Sequence, residues 1–188
     1  MTDAAVGTNG QVDDETDLDL IARWKAGDQR AATLLVERHA DAVSRFVASL
    51  GMRHDIEDVV QDTFVRAFGS IDGFRGDSAL RTWLFTIARR LVLDQRRADR
   101  RRGEQVAVQD GDVRTEFDPL DAVMADETER RMRDAVERLT PTQREVFALR
   151  VGEGMSYKEI ADSVGSTEGA ARVHYHNAMR AIKEFLDD

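Results

Sequence analysis

The chain contains no cysteine among its 188 residues. That excludes disulfides and thiolate metal sites and fits a reducing compartment. It also lacks any apolar run near the ~20 residues that a membrane-spanning helix requires, so no membrane insertion is expected. The opening stretch MTDAAVGTNGQVDDE is acidic and has none of the basic-then-apolar patterning of a secretory signal. These absences together predict a cytoplasmic protein. No segment reads as a strand, and no internal repeat is visible. Helical periodicity covers nearly the whole chain, and 41% hydrophobic content is enough for helical cores.

The formal net charge is −9, which alone would argue against a nucleic-acid partner. Its distribution argues otherwise. Residues 1–17 hold five acids and no base, and residues 18–103 hold sixteen Lys/Arg against twelve Asp/Glu. Residues 104–129 hold nine acids and one arginine. A cationic module is therefore bracketed by an acidic tail and an acidic linker, an asymmetry that suggests an electrostatic footprint on one part of the chain.

Apolar residues recur at helical spacing over 18–27 and 30–49, including Leu20, Ile21, Trp24, Leu34, Leu35, the stem of Arg38, Ala42 and Phe46. Gly51 ends the second of these helices. A third runs over 55–68 with Ile56, Val59, Val60, Thr63, Phe64 and Ala67 inward. GSIDGFRGDSA (69–79) is a loop by composition, and a helix over 82–102 follows it. Residues 104–128 read as a flexible acidic linker. Beyond it, Thr140-Pro141-Thr142-Gln143 and Ser156-Tyr157-Lys158-Glu159 are capping boxes that open two short helices. GST (165–167) turns into a longer last helix over 167–185. Two short helices, a tight turn and a longer helix form the helix-turn-helix pattern. The expected fold is all-α: a disordered tail (1–17), a helical bundle (18–103), the linker (104–128) and a helix-turn-helix domain (129–188).

On a wheel turned roughly 100° per residue, Trp83, Leu84, Ile87, Ala88 and Leu91 share one face of the fourth helix. Arg89, Arg90, Arg96, Arg97 and Arg100 fall within an arc of about 120° on another. Asp94 borders that arc and can pair with Arg90 or Arg97. A solvated face is the simple reading. Ordinary surfaces mix signs, however, and arginine favours bidentate phosphate contact and stacking. Phe74, Trp83 and Phe85 lie close by in sequence and suit unstacked bases; at least one of Phe74 and Trp83 is expected to be core instead.

Asp55, Asp58 and Asp62 stand at i, i+3 and i+7, with Glu57 and Gln61 adjacent. This stripe fits a solvated face, a docking surface for a basic helix, or a metal site. No histidine or further acid at matching spacing supports the last. In the final helix, Ala171, Tyr175, Ala178, Met179 and Ile182 share a face, and Arg172, Val173, His176 and Asn177 lie mostly opposite. His174 and His176 point about 200° apart and cannot chelate one metal together. The helix is either a plain bundle member or a major-groove reader.

DLIARWKAGDQRAATLLVERH, DIEDVVQDTFVRAF, FRGDSALRTWLFTIARRLVLDQRR and the segment LTPTQREVFALRVGEGMSYKEIADSVGSTEGAARVHYHNAMRAI, in that order, resemble the extracytoplasmic-function (ECF) sigma factors of bacterial RNA polymerase. The resemblance implies a promoter-specificity subunit with no catalytic residue, metal or cofactor. Its partners would be core RNA polymerase (the β′ clamp helices and the β subunit), promoter DNA and an anti-sigma factor. The bundle would be region 2 and the helix-turn-helix domain region 4. Asp58, Gln61, Asp62 and Phe64 would bind core polymerase. Phe74, Arg75, Ser78, Trp83, Arg89, Arg90, Arg96 and Arg97 would hold the melted −10 strand. Arg172, Val173, His176 and Asn177 would read the −35 duplex. The linker would run toward the RNA exit path. Two features depart from the family pattern: Arg90 stands where asparagine is common, and the last helix is poor in charge. The competing reading is a self-sufficient helix-turn-helix regulator of duplex operators, which leaves the arginine helix and the acidic stripe without a role.

Overall fold

The computed structural model describes residues 15–52, 54–106 and 127–187. Most of the expected acidic tail and of the linker lies outside these residues. Among the described residues there is no strand. Four helices form the first module: α1 (Asp17–Lys25), α2 (Gln29–Ser49), α3 (Ile56–Gly69) and α4 (Leu80–Val106). Four form the second: α5 (Glu127–Glu137), α6 (Pro141–Phe147), α7 (Tyr157–Val164) and α8 (Glu168–Asp187).

Local chemistry sets most of the ends. Thr16 caps α1 in a reciprocal box with Asp19, and Asp28 Oδ1 accepts from the Arg30 amide to start α2. Thr140 with Gln143, and Ser156 with Glu159, form the two boxes expected from sequence. Each such cap is worth about 1 kcal/mol. Gly165 closes α7 in the left-handed region at φ 67°. Between α6 and α7 the chain makes one π turn, Ala148–Gly152. α4 passes through Gly103 and continues to Val106, beyond the boundary expected at 103.

One core runs through both modules. Phe46 of α2 meets Phe85 of α4 with ring centroids 4.7 Å apart, and both are fully buried. Val146, Leu149, Met155, Ile160 and Val164 of the second module join the same cluster. α7 packs on α4, while α6 and the π turn lie against α2. A smaller cluster of Ala135, Leu139, Ala178 and Ile182 holds α5 against α8. Two inward assignments change: Met179 is 40% exposed, and Arg38 turns its guanidinium to Asp17 at 2.9 Å. Val60, like Trp24, Leu34 and Ile56, is half-buried and packs against the core.

Candidate nucleic-acid interface

The loop before α4 begins with a short 3-10 turn, Ile71–Gly73, whose Ile71 is anchored in the core. Phe74 then stacks at a tilt on Trp83, centroids 5.2 Å apart, and both rings are half-buried. Arg75, Gly76 and Asp77 are exposed, and Ser78 is half-buried. Beside them lies a hollow of about 400 Å³ walled by Phe74, Gly76, Ser78 and the start of α1 at Thr16, Asp17 and Leu18. Asp17 fixes that wall: His39 Nε2 lies 3.0 Å and Arg38 Nη1 2.9 Å from its carboxylate. Burial works to raise the Asp17 carboxyl, but the hydrogen bonds and charges of His39 and Arg38 prevail and hold it below the usual range. His39 is itself buried. Sequence reasoning passed over it because a lone histidine on an apolar face carries no local signal.

The arginine arc divides. Arg90, Arg97 and Arg100 are exposed on α4, with Arg97 3.2 Å from Asp94. Arg96 instead donates to the Leu50 carbonyl at the end of α2. Gly51 follows Leu50 at φ +84°, a conformation that favours glycine, and a Cβ there would stand 3.2 Å from the Arg96 guanidinium. Arg89 turns to the second module, its Nε 2.5 Å from Oε1 of Glu145. Glu145 is only 5% exposed. Burial pushes its carboxyl up against the opposing pull of Arg89 and Arg96. A second acid of that module, Glu153, receives Arg45 at 3.0 Å and Arg81 at 3.7 Å. No motif in the sequence marks either acid. Each sits in the first helix-turn region, far along the chain from the arginines it meets.

On α3, Asp58, Gln61 and Asp62 are exposed in one stripe, as a docking face requires. Phe64 lies at the floor of the groove beside that stripe. It is 6% exposed and packs toward Phe68, centroids 6.2 Å apart. The apolar group presented there is Val65, 63% exposed, four residues after Gln61 and three after Asp62. It rims a shallow apolar groove between α2 and α3 that Val36, Ala40, Val60 and Phe68 line.

On α8, Arg172, Val173 and His176 are exposed, and Asn177 is half-buried, its Oδ1 accepting from Arg180 at 3.4 Å. Arg172 bonds to Glu168 at 3.0 Å. The structure therefore leaves the face of α8 open while it covers Arg89 of α4.

Two family matches follow the two modules. Residues 35–102 match Sigma-70 region 2, and residues 129–182 match Sigma-70, region 4. The chain is 33% identical to the ECF RNA polymerase sigma-E factor of Haemophilus influenzae, over 89% of this chain and 94% of that one. It is 32% identical to the protein of the same name in Escherichia coli K12, over 89% and 92%. Among solved structures it resembles the sigma factor RpoE in complex with the anti-sigma factor NepR from Bartonella quintana. That match has a TM-score of 0.65 and 28% identity, covering 82% of this chain and 96% of that one. CnrH in complex with the cytosolic domain of CnrY gives a TM-score of 0.66 and 30% identity, covering 92% and 98%. Two matched modules in order, and relatives aligned along nearly their whole length, place the chain in the sigma-70 family as an ECF sigma factor.

Proposed function

We propose that this chain is a promoter-specificity subunit that works in the cytoplasm by joining core RNA polymerase through α3 and contacting the two promoter elements with separate modules. The exposed Asp58–Gln61–Asp62 stripe, with Val65 at its end, supports α3 as the polymerase face. A basic helical partner would complement it in charge and cover the apolar groove. The loop from Phe74 to Ser78 and the exposed arginines of α4 suit unwound strand. Aromatic rings take bases by stacking, and guanidinium forks take phosphates. Arg172, Val173, His176 and Asn177 on α8 suit the major groove of the −35 duplex. By analogy with the similar structures that contain anti-sigma factors, a protein inhibitor is expected to bind this chain as well.

The observation that carries this reading is the pairing of two modules, one bearing a cationic helix behind an aromatic loop, the other a helix-turn-helix with an open last helix. The closed arrangement adds a requirement. The −35 and −10 elements lie roughly 25 base pairs apart, about 85 Å at 3.4 Å per step. A compact chain of this length has a radius of gyration of only about 16 Å. The modules must therefore separate before both elements are reached, and separation also frees Arg89 from Glu145.

The deciding experiment is run-off transcription with core polymerase, with and without the chain, on a promoter library with start sites mapped. New start sites that depend on the chain are expected. Transcription unchanged by its addition defeats the proposal, and a tight, salt-sensitive shift of duplex DNA without polymerase points to the self-sufficient regulator instead.

A further inference from the structure

Tyr157 opens α7, outside the last helix, yet it gathers side chains from two other elements. The Arg172 guanidinium carbon lies over its ring, 5.0 Å from the centroid, and that of Arg150, in the π turn, lies 4.9 Å from it. Tyr175 of α8 meets the same ring edge-on at 5.9 Å. The two arginines are not equivalent. Arg150 spends its Nη1 on the Met155 carbonyl at 2.6 Å and so is tied to its own turn. Arg172 donates its Nη2 to Glu168 at 3.0 Å, an i to i+4 contact on the helix surface that a base edge would have to replace, and its side chain remains 56% exposed.

A guanidinium stacked on a ring keeps its in-plane N–H fork free for hydrogen bonding. It also enters a complex with less rotamer freedom to lose, since the stack has already restricted it. Two hydrogen bonds from such a fork match the O6 and N7 of guanine in the major groove, the commonest specific contact of an arginine with DNA.

We propose that Tyr157 is a positioning residue: it directs Arg172 toward a guanine edge in the −35 duplex and thereby sets sequence preference from a helix that reads no base itself. The proposal rests on the reading of α8 as the −35 helix. Arg150 steadies the ring, and the electron-rich face of the ring offsets the repulsion between two neighbouring cations.

The test uses holoenzyme assembled from core polymerase and the full chain, transcribing a barcoded pool of promoters randomised over the −35 segment. Four chains are compared: wild type, Tyr157→Phe, Tyr157→Leu and Arg172→Ala. Wild type and Tyr157→Phe should enrich guanine at one or two −35 positions, and Arg172→Ala should lose that enrichment. Tyr157→Leu should lower it about two- to fivefold at the same positions and leave the others unchanged, consistent with the modest strength of an exposed cation–π contact. Enrichment is a ratio within one pool, so it does not depend on how much protein is folded. If Tyr157→Leu lowers output from all templates alike and keeps the enrichment pattern, Tyr157 only supports the fold and the proposal fails. If Arg172→Ala alters no preference, the assignment of α8 fails, and the role of Tyr157 with it.

Discussion

Arg89 of α4 and Glu145 of α6 face each other across the boundary between the modules, Nε to Oε1 at 2.5 Å, with the carboxylate almost wholly buried. The Arg89 guanidinium is thus occupied by an acid of the same chain. Buried ion pairs add little net stability, because desolvation offsets most of the attraction, but removing one partner is costly. Apolar contacts hold the modules together, and the ion pair forms where that packing brings α6 beside α4.

Replacing Glu145 with lysine sets two cations against each other at this boundary. Breaking a fully buried pair costs about 3–5 kcal/mol; Arg89 keeps some solvent contact, so a shift of about 1–3 kcal/mol toward separated modules is expected. Energy transfer between dyes placed on α3 and α8 should fall in this variant. Unchanged transfer would show that the ion pair plays no part in closure.

The raised Glu145 carboxyl fixes the sign of a pH effect. The closed form binds this proton more tightly than a solvated, open form does. Closure is therefore favoured at low pH and weakens as pH rises from the ordinary glutamate range through the raised value. The same dye pair should report progressive opening with rising pH in wild type and a flat response over that window in Glu145→Gln. A slope of the opposite sign would mean that Arg89, not burial, dominates.

Arg90 and Arg97 are the exposed members of the arc. Alanine at both should weaken promoter opening without changing thermal stability. The slope of log affinity for single strand against log salt should also become shallower, by about 0.7 for each phosphate left without its arginine. Arg96→Ala should behave differently, lowering the melting temperature, because it leaves the Leu50 carbonyl at the end of α2 without its donor. Competition with wild type for core polymerase should be unaffected by the Arg90 and Arg97 changes.

Asp58→Ala with Asp62→Ala should weaken competition for core polymerase about tenfold, more at low salt than at high. Val65→Glu should weaken it as well while leaving the fold intact, since this side chain is 63% exposed. Phe64→Ala should destabilise the chain by about 3–5 kcal/mol, a folding effect that appears in the melting curve. Full competition by Val65→Glu would remove the apolar groove from the polymerase face.

Helix starts were legible because their causes are local. Thr140 and Gln143, or Ser156 and Glu159, lie three residues apart and satisfy each other's amides wherever the helix sits. Gly51 and Gly165 mark ends for an equally local reason, a positive φ. Periodicity placed Phe46, Leu84, Ala88 and Ala171 inward, and they are buried. It misplaced Met179, which sits at the margin of its stripe, and counted Arg38 by its apolar stem although Asp17 claims its charged end.

Length, charge pattern, caps and period thus specify two helical modules and the faces they can offer, since each depends on residues a few positions apart. Which face is spent on which neighbour depends on contacts between distant parts of the chain. Arg89 and Glu145 are 56 residues apart, and Arg45 and Glu153 are 108. No spacing rule links such pairs. They meet because one shared core brings α6 and the π turn onto α2 and α7 onto α4, and that packing divides the arginine arc between protein and solvent.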